Sequence, residues 1–248
     1  MKKILSLLMI FTLCFILVGC DDEGPIPYKY DSYEASEKIS ELGSSTGFLL
    51  EYSMIGSEDS YRNIKYLYDD FEDWDDDDYD DYDDYEDDDY SSMTITIGIK
   101  SGITYISSGF AEIYVDQTDG SRVVLYVGAM DDSGSYRWMK QEMSYTDFYS
   151  NDYYSVYASI YDYLMPTQAF YHGEVMKKKT DVICGRLCDN LTIADSMNQG
   201  DSINICIDKE YGFCLKMATV ETYRGETYTS GMECTRFEIN PGIVLPNV

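Results

Sequence analysis

The chain has 248 residues, with 46 acidic side chains against 18 basic ones, a formal net charge of −28 and a single histidine. A surplus of that size excludes nucleic acid as a partner, because phosphate backbones need Lys and Arg to neutralise them. It also excludes binding to an anionic membrane surface by charge, and one imidazole leaves little room for a His-based metal centre or a Ser-His-Asp triad.

Lys2 and Lys3 precede an uncharged run over residues 4–18, which ends in Leu17-Val18-Gly19-Cys20. A basic n-region and a short apolar h-region mark an export signal rather than a membrane span. An aliphatic residue, then a small one, then Cys resembles the signal of bacterial lipoproteins. That resemblance implies cleavage after residues 1–19 and a diacylglyceryl group on Cys20 Sγ. It places the protein on the extracytoplasmic face of the cell membrane, lipid-anchored, since two or three acyl chains hold a protein stably where one does not. The mature chain would have 229 residues and a net charge of −30. Residues 20–30 form the acylated terminus and a tether, which Gly24-Pro25-Ile26-Pro27 keeps extended. No second apolar run of about 18 residues follows.

Residues 31–248 read as one domain. A helix is predicted over 31–42: Ala35, Ile39 and Leu42 share a face, Asp31 with Glu34 makes a capping box, and Gly43 stops it. Strands are predicted at 48–54, 64–68, 94–99, 102–106, 112–115, 122–127 and 136–139, separated by Gly, Asp and Ser turns. Between the second and third lies an acidic insertion, 69–90. Residues 69–89 carry 16 carboxylates in 21 positions, which leaves −12 of the charge to the rest of the chain. Like charges this dense repel, so the insertion reads as disordered and hydrated. An EF-hand loop begun at Asp75 would need Gly where Asp80 stands, so the tract offers weak cation condensation or a polyanion-repelling bristle rather than a built calcium site. A second helix is predicted over 147–164 from Tyr149, Tyr153, Val156, Ile160 and Leu164, ended by Pro166.

The C-terminal part reads as four strands, 186–193, 203–208, 213–219 and 233–239, with Leu187, Leu191, Ile193, Ile203, Ile205, Ile207, Phe213, Leu215, Met217, Phe237 and Ile239 alternating onto apolar faces. The fold class that follows is α+β, a curved antiparallel sheet packed on two or so helices. Three motifs punctuate these strands: Asp181-Val182-Ile183-Cys184-Gly185-Arg186-Leu187-Cys188, Asp208-Lys209-Glu210-Tyr211-Gly212-Phe213-Cys214-Leu215-Lys216, and Phe237-Glu238-Ile239-Asn240-Pro241-Gly242. Residues 181–242 thereby resemble the last strands of the LolA-like lipoprotein-carrier superfamily. The resemblance implies an open half-barrel closing over helices, with acyl chains held in its apolar concavity in the carrier members. No binding residue transfers position by position.

Five cysteines remain beyond Cys20: Cys184, Cys188, Cys206, Cys214 and Cys234. If the strands pair as symmetric hairpins, Cys188 lies opposite Cys206, Cys206 opposite Cys214, and Cys214 opposite Cys234. Four cysteines then form one row, on the polar face beside Asn190, Asn204, Lys216 and Arg236. An exported protein with opposed cysteines is expected to form cross-strand disulfides. The candidates are Cys188–Cys206 with Cys214–Cys234, or alternatively Cys206–Cys214; Cys184 is left over. A zinc site of four thiolates is the lesser alternative, because a flat row does not converge tetrahedrally.

His172, in Phe170-Tyr171-His172-Gly173, has no nucleophile paired to it by a recognisable motif, and no phosphate loop or metalloprotease signature occurs. The expectation is therefore no enzyme, no cofactor and no metal. A membrane-anchored module is expected, binding a hydrophobic ligand or a partner lipoprotein in its concavity. The alternative is a structural or surface-interaction lipoprotein whose acidic insertion is the working part.

Overall fold

The computed structural model describes residues 25–56, 94–108, 111–130, 135–150, 164–171, 173–195, 201–223 and 226–248. The export signal expected over residues 1–19, Cys20, the strand expected at 64–68, the acidic insertion expected over 69–90, most of the helix expected over 147–164, and His172 lie outside the described residues.

The first helix, α1 (Ser32–Ser45), begins where the sequence signals it: Asp31 is the N-cap, and its side chain accepts from the Glu34 N–H at 3.1 Å. It runs past Gly43 to Ser45 and is closed by Gly47, whose φ of +85° lets its N–H reach back to Leu42 O at 2.7 Å. Gly43 serves packing instead of termination, since a Cβ there would stand 2.9 Å from Ile99 Cγ2.

Strands β1 (Phe48–Gly56), β2 (Thr94–Lys100), β3 (Ile103–Ser108), β4 (Ala111–Asp116), β5 (Arg122–Met130) and β6 (Tyr136–Ser144) form a meander, followed by a short helix α2 (Tyr145–Ser150). After the 3-10 turn Thr167–Tyr171 come β7 (Gly173–Ile183), β8 (Arg186–Asp195), β9 (Ser202–Asp208), β10 (Cys214–Tyr223) and β11 (Glu226–Ile239). The sequence pattern places a strand start near His172 but does not delimit β7, because Lys177, Lys178 and Lys179 interrupt its alternation. The structure joins the two meanders into a single 11-stranded antiparallel sheet, ordered β6-β5-β4-β3-β2-β1-β11-β10-β9-β8-β7. The seam is the pairing of β1 with β11, from Phe48 opposite Ile239 to Gly56 opposite Ser230, with one bulge between Glu51 and Tyr52.

The α+β class and the antiparallel sheet are as expected from the sequence. Register carries one apolar face across the seam: Leu50 lies opposite both Phe237 and Ile97, Ile97 opposite Ile106, and Ile106 opposite Ile113. α1 lays Ala35, Ile39 and Leu42 into this face with Phe48, Leu50, Ile99, Phe213 and Leu215, all buried. At the β4–β5 end, Phe148 of α2 caps Val115, Val123 and Leu125. At the other end, Leu191, Ile193, Ile205 and Ile207 are covered by Ala169, Phe170 and the segment Ile26, Tyr28 and Tyr30. No helix among the described residues is long and apolar enough to cross a membrane.

Two glycines fix the approach of these layers. Gly212 has φ +86°, and a Cβ there would meet Ala35 Cβ at 2.7 Å. A left-handed residue with a Cβ costs about 1–2 kcal/mol, and forcing a methyl into a packed core costs typically about 1–3 kcal/mol more. Gly212→Ala is therefore expected to lower stability by roughly 2–4 kcal/mol and to shift the urea midpoint down. An unchanged midpoint would show that α1 does not press on the β9–β10 turn.

Candidate functional site

The segment 25–30, expected as a tether, is bound to the protein. Ile26 N–H donates to Val175 O at 2.7 Å, extending the edge of β7. Tyr28 and Tyr30 both stack on Phe170, with ring centroids 5.9 and 5.5 Å apart. Tyr30 Oη donates to Gly212 O at 3.0 Å, and Tyr28 Oη donates to Asp189 Oδ2 at 3.2 Å. Asp189 is also held by Lys178 and Lys209, each 3.0 Å away, and Lys178 Nζ stands 4.6 Å over the Tyr28 ring. Burial and then the Asp189 carboxylate push the Tyr28 phenol up to about 12, so it stays a donor at physiological pH.

Between this strap, the Thr167–Tyr171 turn and the start of β7 lies a recess of about 540 Å³, within the size range of small-molecule sites. Ile26, Tyr28, Phe170 and Val175 supply apolar wall, and Ser32, Thr167 and Glu174 add polar groups. The sequence reading missed these residues. The alternation of Ile26, Tyr28 and Tyr30 was the available signal, hidden by its position in a Pro-rich tether.

The motif residues of the β9–β10 hairpin are structural. Asp208 accepts a bidentate pair from Arg186, at 2.9 and 3.1 Å, and the Tyr211 N–H at 2.7 Å, with its side chain 1% exposed. Arg186 continues to Glu210 at 2.9 Å and lies over the rings of Tyr211 and Phe237. Such a fork-to-carboxylate pair fixes orientation as well as adding energy. Asn240 of the last motif has φ +60°, donates its N–H to Gly47 O at 3.0 Å, and accepts from Lys100 at 2.9 Å.

The cysteines do not form the expected row. Cys188 lies opposite Asp208, and Cys206 opposite Asn190 on one side and Lys216 on the other. Cys214 lies opposite Ile207, and Cys234 opposite Tyr52 of β1. The cause is turn length. The β8–β9 connection centres one residue later than a symmetric hairpin around Met197, and a register shift between Cys214 and Lys216 moves β10 against β9. Nor is their face solvated. Cys188, Cys206, Cys214 and Cys234 are 0–4% exposed, as free thiols, while Cys184 is exposed. Lys216 bridges to Glu233, and Asn190 to Asp181, roofing the polar side of the strands. Among the described residues no three metal-ligating side chains gather at one point. Cys20 and His172 lie outside the described residues.

No family model matches the chain, and no curated protein is found similar to it. Among solved structures, the crystal structure of MucB aligns with a TM-score of 0.38 at 10% identity, over 88% of this chain and 62% of that one. The MucA/MucB complex of Pseudomonas aeruginosa aligns at 0.35 and 10%, over 87% and 59%, and MucB with MucA(peri) at 0.34 and 9%, over 86% and 57%. The chain thus spans about three fifths of the length of the structures it matches.

Burial pushes the Cys188 thiol up to about 11 and those of Cys206 and Cys214 to about 12, from an ordinary value of 9.0. These thiols bind their protons more tightly folded than unfolded. Their contribution to stability is therefore complete below about pH 9 and is lost as pH rises towards 11 and 12. In reductant, the urea midpoint is expected to be flat from about pH 7 to 8.5 and to fall steadily above about pH 9; a midpoint still flat at about pH 10.5 would contradict the buried-thiol geometry.

Proposed function

We propose that this protein is a non-catalytic, lipid-anchored module of the extracytoplasmic membrane face, held by Cys20, which takes a hydrophobic ligand or an apolar segment of a partner lipoprotein in the recess beside its N-terminal strap. The observation that carries this reading is the wall formed by Ile26, Tyr28, Phe170 and Val175. That wall begins six residues after Cys20, so the anchor would keep the recess within about 20 Å of the bilayer surface. The described part of the sheet's apolar face is filled by α1 and its neighbours. Among the described residues, the space for a ligand therefore lies at the edge of the sheet, beside β7.

A second reading, a surface-interaction lipoprotein without a small ligand, is favoured by the sheet's other face. There Tyr105, Tyr114, Trp138 and Tyr136 form a chain of ring contacts with centroids 4.8, 5.8 and 5.7 Å apart. In that case the acidic insertion would bind cations weakly or repel polyanions. Deleting residues 69–89 would leave ligand binding and folding intact under the first reading and abolish the phenotype under the second.

Native mass spectrometry of the unlipidated domain with added long-chain fatty acid is expected to show a one-to-one complex. Val175→Asp is expected to weaken it at least about tenfold, the effect of roughly 1.4 kcal/mol; absence of any complex with the unsubstituted domain would overturn the reading. Separately, Cys20→Ala is expected to abolish incorporation of labelled palmitate and to move the protein from the membrane to the soluble fraction.

A further inference from the structure

We propose that Cys184 and Cys234 are a disulfide-forming pair, an oxidation site distinct from the cysteine row that hairpin symmetry suggests and independent of whether the recess binds a ligand. Cys184 is the first residue of the two-residue turn between β7 and β8, where Ile183 lies opposite Arg186. Its φ is +50° and that of Gly185 is +74°, a turn geometry that Asn, Asp and Gly adopt far more readily than Cys. What the side chain does accounts for the residue. Cys184 Sγ donates to Cys234 O at 3.0 Å and lies 3.8 Å from Cys234 Sγ, the one sulfur-to-sulfur hydrogen bond among the described residues.

Two of the other buried thiols are turned to their own strands: Cys188 donates to Arg186 O and Cys214 to Lys216 O, each at 3.3 Å. Cys234 likewise donates to Arg236 O at 3.1 Å, but its sulfur also faces Cys184. A bond of about 2.05 Å needs the two sulfurs to approach by less than 2 Å. Rotation of the exposed Cys184 side chain can supply that while Cys234 stays in its buried place. The bond would tie the β7–β8 turn to β11 across β9 and β10, closing a loop between positions 50 residues apart. It would thereby lock the curl of the sheet edge whose Val175 lines the recess.

The co-reactant is a disulfide, R–S–S–R, of the kind an exported protein meets as oxidised glutathione or an oxidised protein dithiol. The exposed Cys184, as thiolate, attacks one sulfur of it, breaking the S–S bond and releasing R–S⁻, which takes up the proton that Cys184 gave to solvent. The mixed disulfide Cys184–S–S–R then loses its second R–S⁻ to attack by the Cys234 sulfur, whose proton follows the departing thiolate. In sum two protein thiols are oxidised, one R–S–S–R is reduced to two R–SH, and no metal or other oxidant is required. Burial pushes the Cys184 thiol up, so exchange should accelerate as pH is raised from 7 to 9.

The test uses the full chain, reduced and then incubated with oxidised glutathione, quenched with iodoacetamide and mapped by peptide mass spectrometry. The expected result is a cross-linked peptide joining Cys184 to Cys234, with Cys188, Cys206 and Cys214 alkylated only after denaturation. Cys184→Ser, at an exposed position, should abolish the cross-link and leave the fold by circular dichroism unchanged. Cys206→Ser, even if less stable, should retain the cross-link in whatever fraction is folded. Recovery of Cys184 and Cys234 both alkylated, of Cys184 as a stable glutathione adduct, or of a bridge joining Cys188 to Cys206 would each overturn the proposal.

Discussion

The seam between β1 and β11 is the constraint on which the rest of the molecule depends. β1 pairs with β11, and only then do two meanders become one sheet with a continuous apolar face. Leu50 sits between Phe237 and Ile97 because of that pairing, and α1 can then cover residues from both halves at once. The bulge at Glu51 and Tyr52 increases the local twist. The turn between β7 and β8 reaches β11 although β9 and β10 lie between, which a flat sheet with strands about 4.8 Å apart would keep out of contact.

The polar groups that hold this arrangement are few, and Asp208 is the buried one among them. Asp208 gathers Arg186 and the Tyr211 backbone at the tip of the β9–β10 hairpin, beneath the rings of Tyr211 and Phe237. Gly212 follows at the point where α1 passes, and Asn240 turns the chain out of β11 while binding Gly47 and Lys100. The motifs that made the C-terminal strands recognisable are thus the residues that shape turns and seat the helix. They carry fold rather than chemistry, and the recess is formed elsewhere, by a strap whose residues belong to none of the motifs.

Much of the fold was legible. The cap at Asp31, the alternation of β1, β2 and β8–β10, and the Gly and Asp turns each depend on a few consecutive residues, so period and punctuation reveal them. The cysteine register was not legible, because it depends on turn length to a single residue, and one residue either way reverses a face. The recess was not legible either. Ile26, Tyr28 and Tyr30 look like tether until Val175, Phe170 and Asp189 are placed beside them, from positions more than 130 residues away.

By itself the sequence determined what local physics controls: an acidic tract over residues 69–89 that concentrates more than half of the net charge, and an antiparallel β-rich domain with helices on its face. Tertiary structure alone decided which strands meet across the seam, that the face carrying Cys188 and Cys206 is covered rather than solvated, and that Cys184 and not Cys214 approaches Cys234. The reason is that period and composition report on neighbours along the chain. Curl, bulges and non-local pairing are instead set by the simultaneous burial of surfaces far apart in sequence, and no single segment encodes that balance.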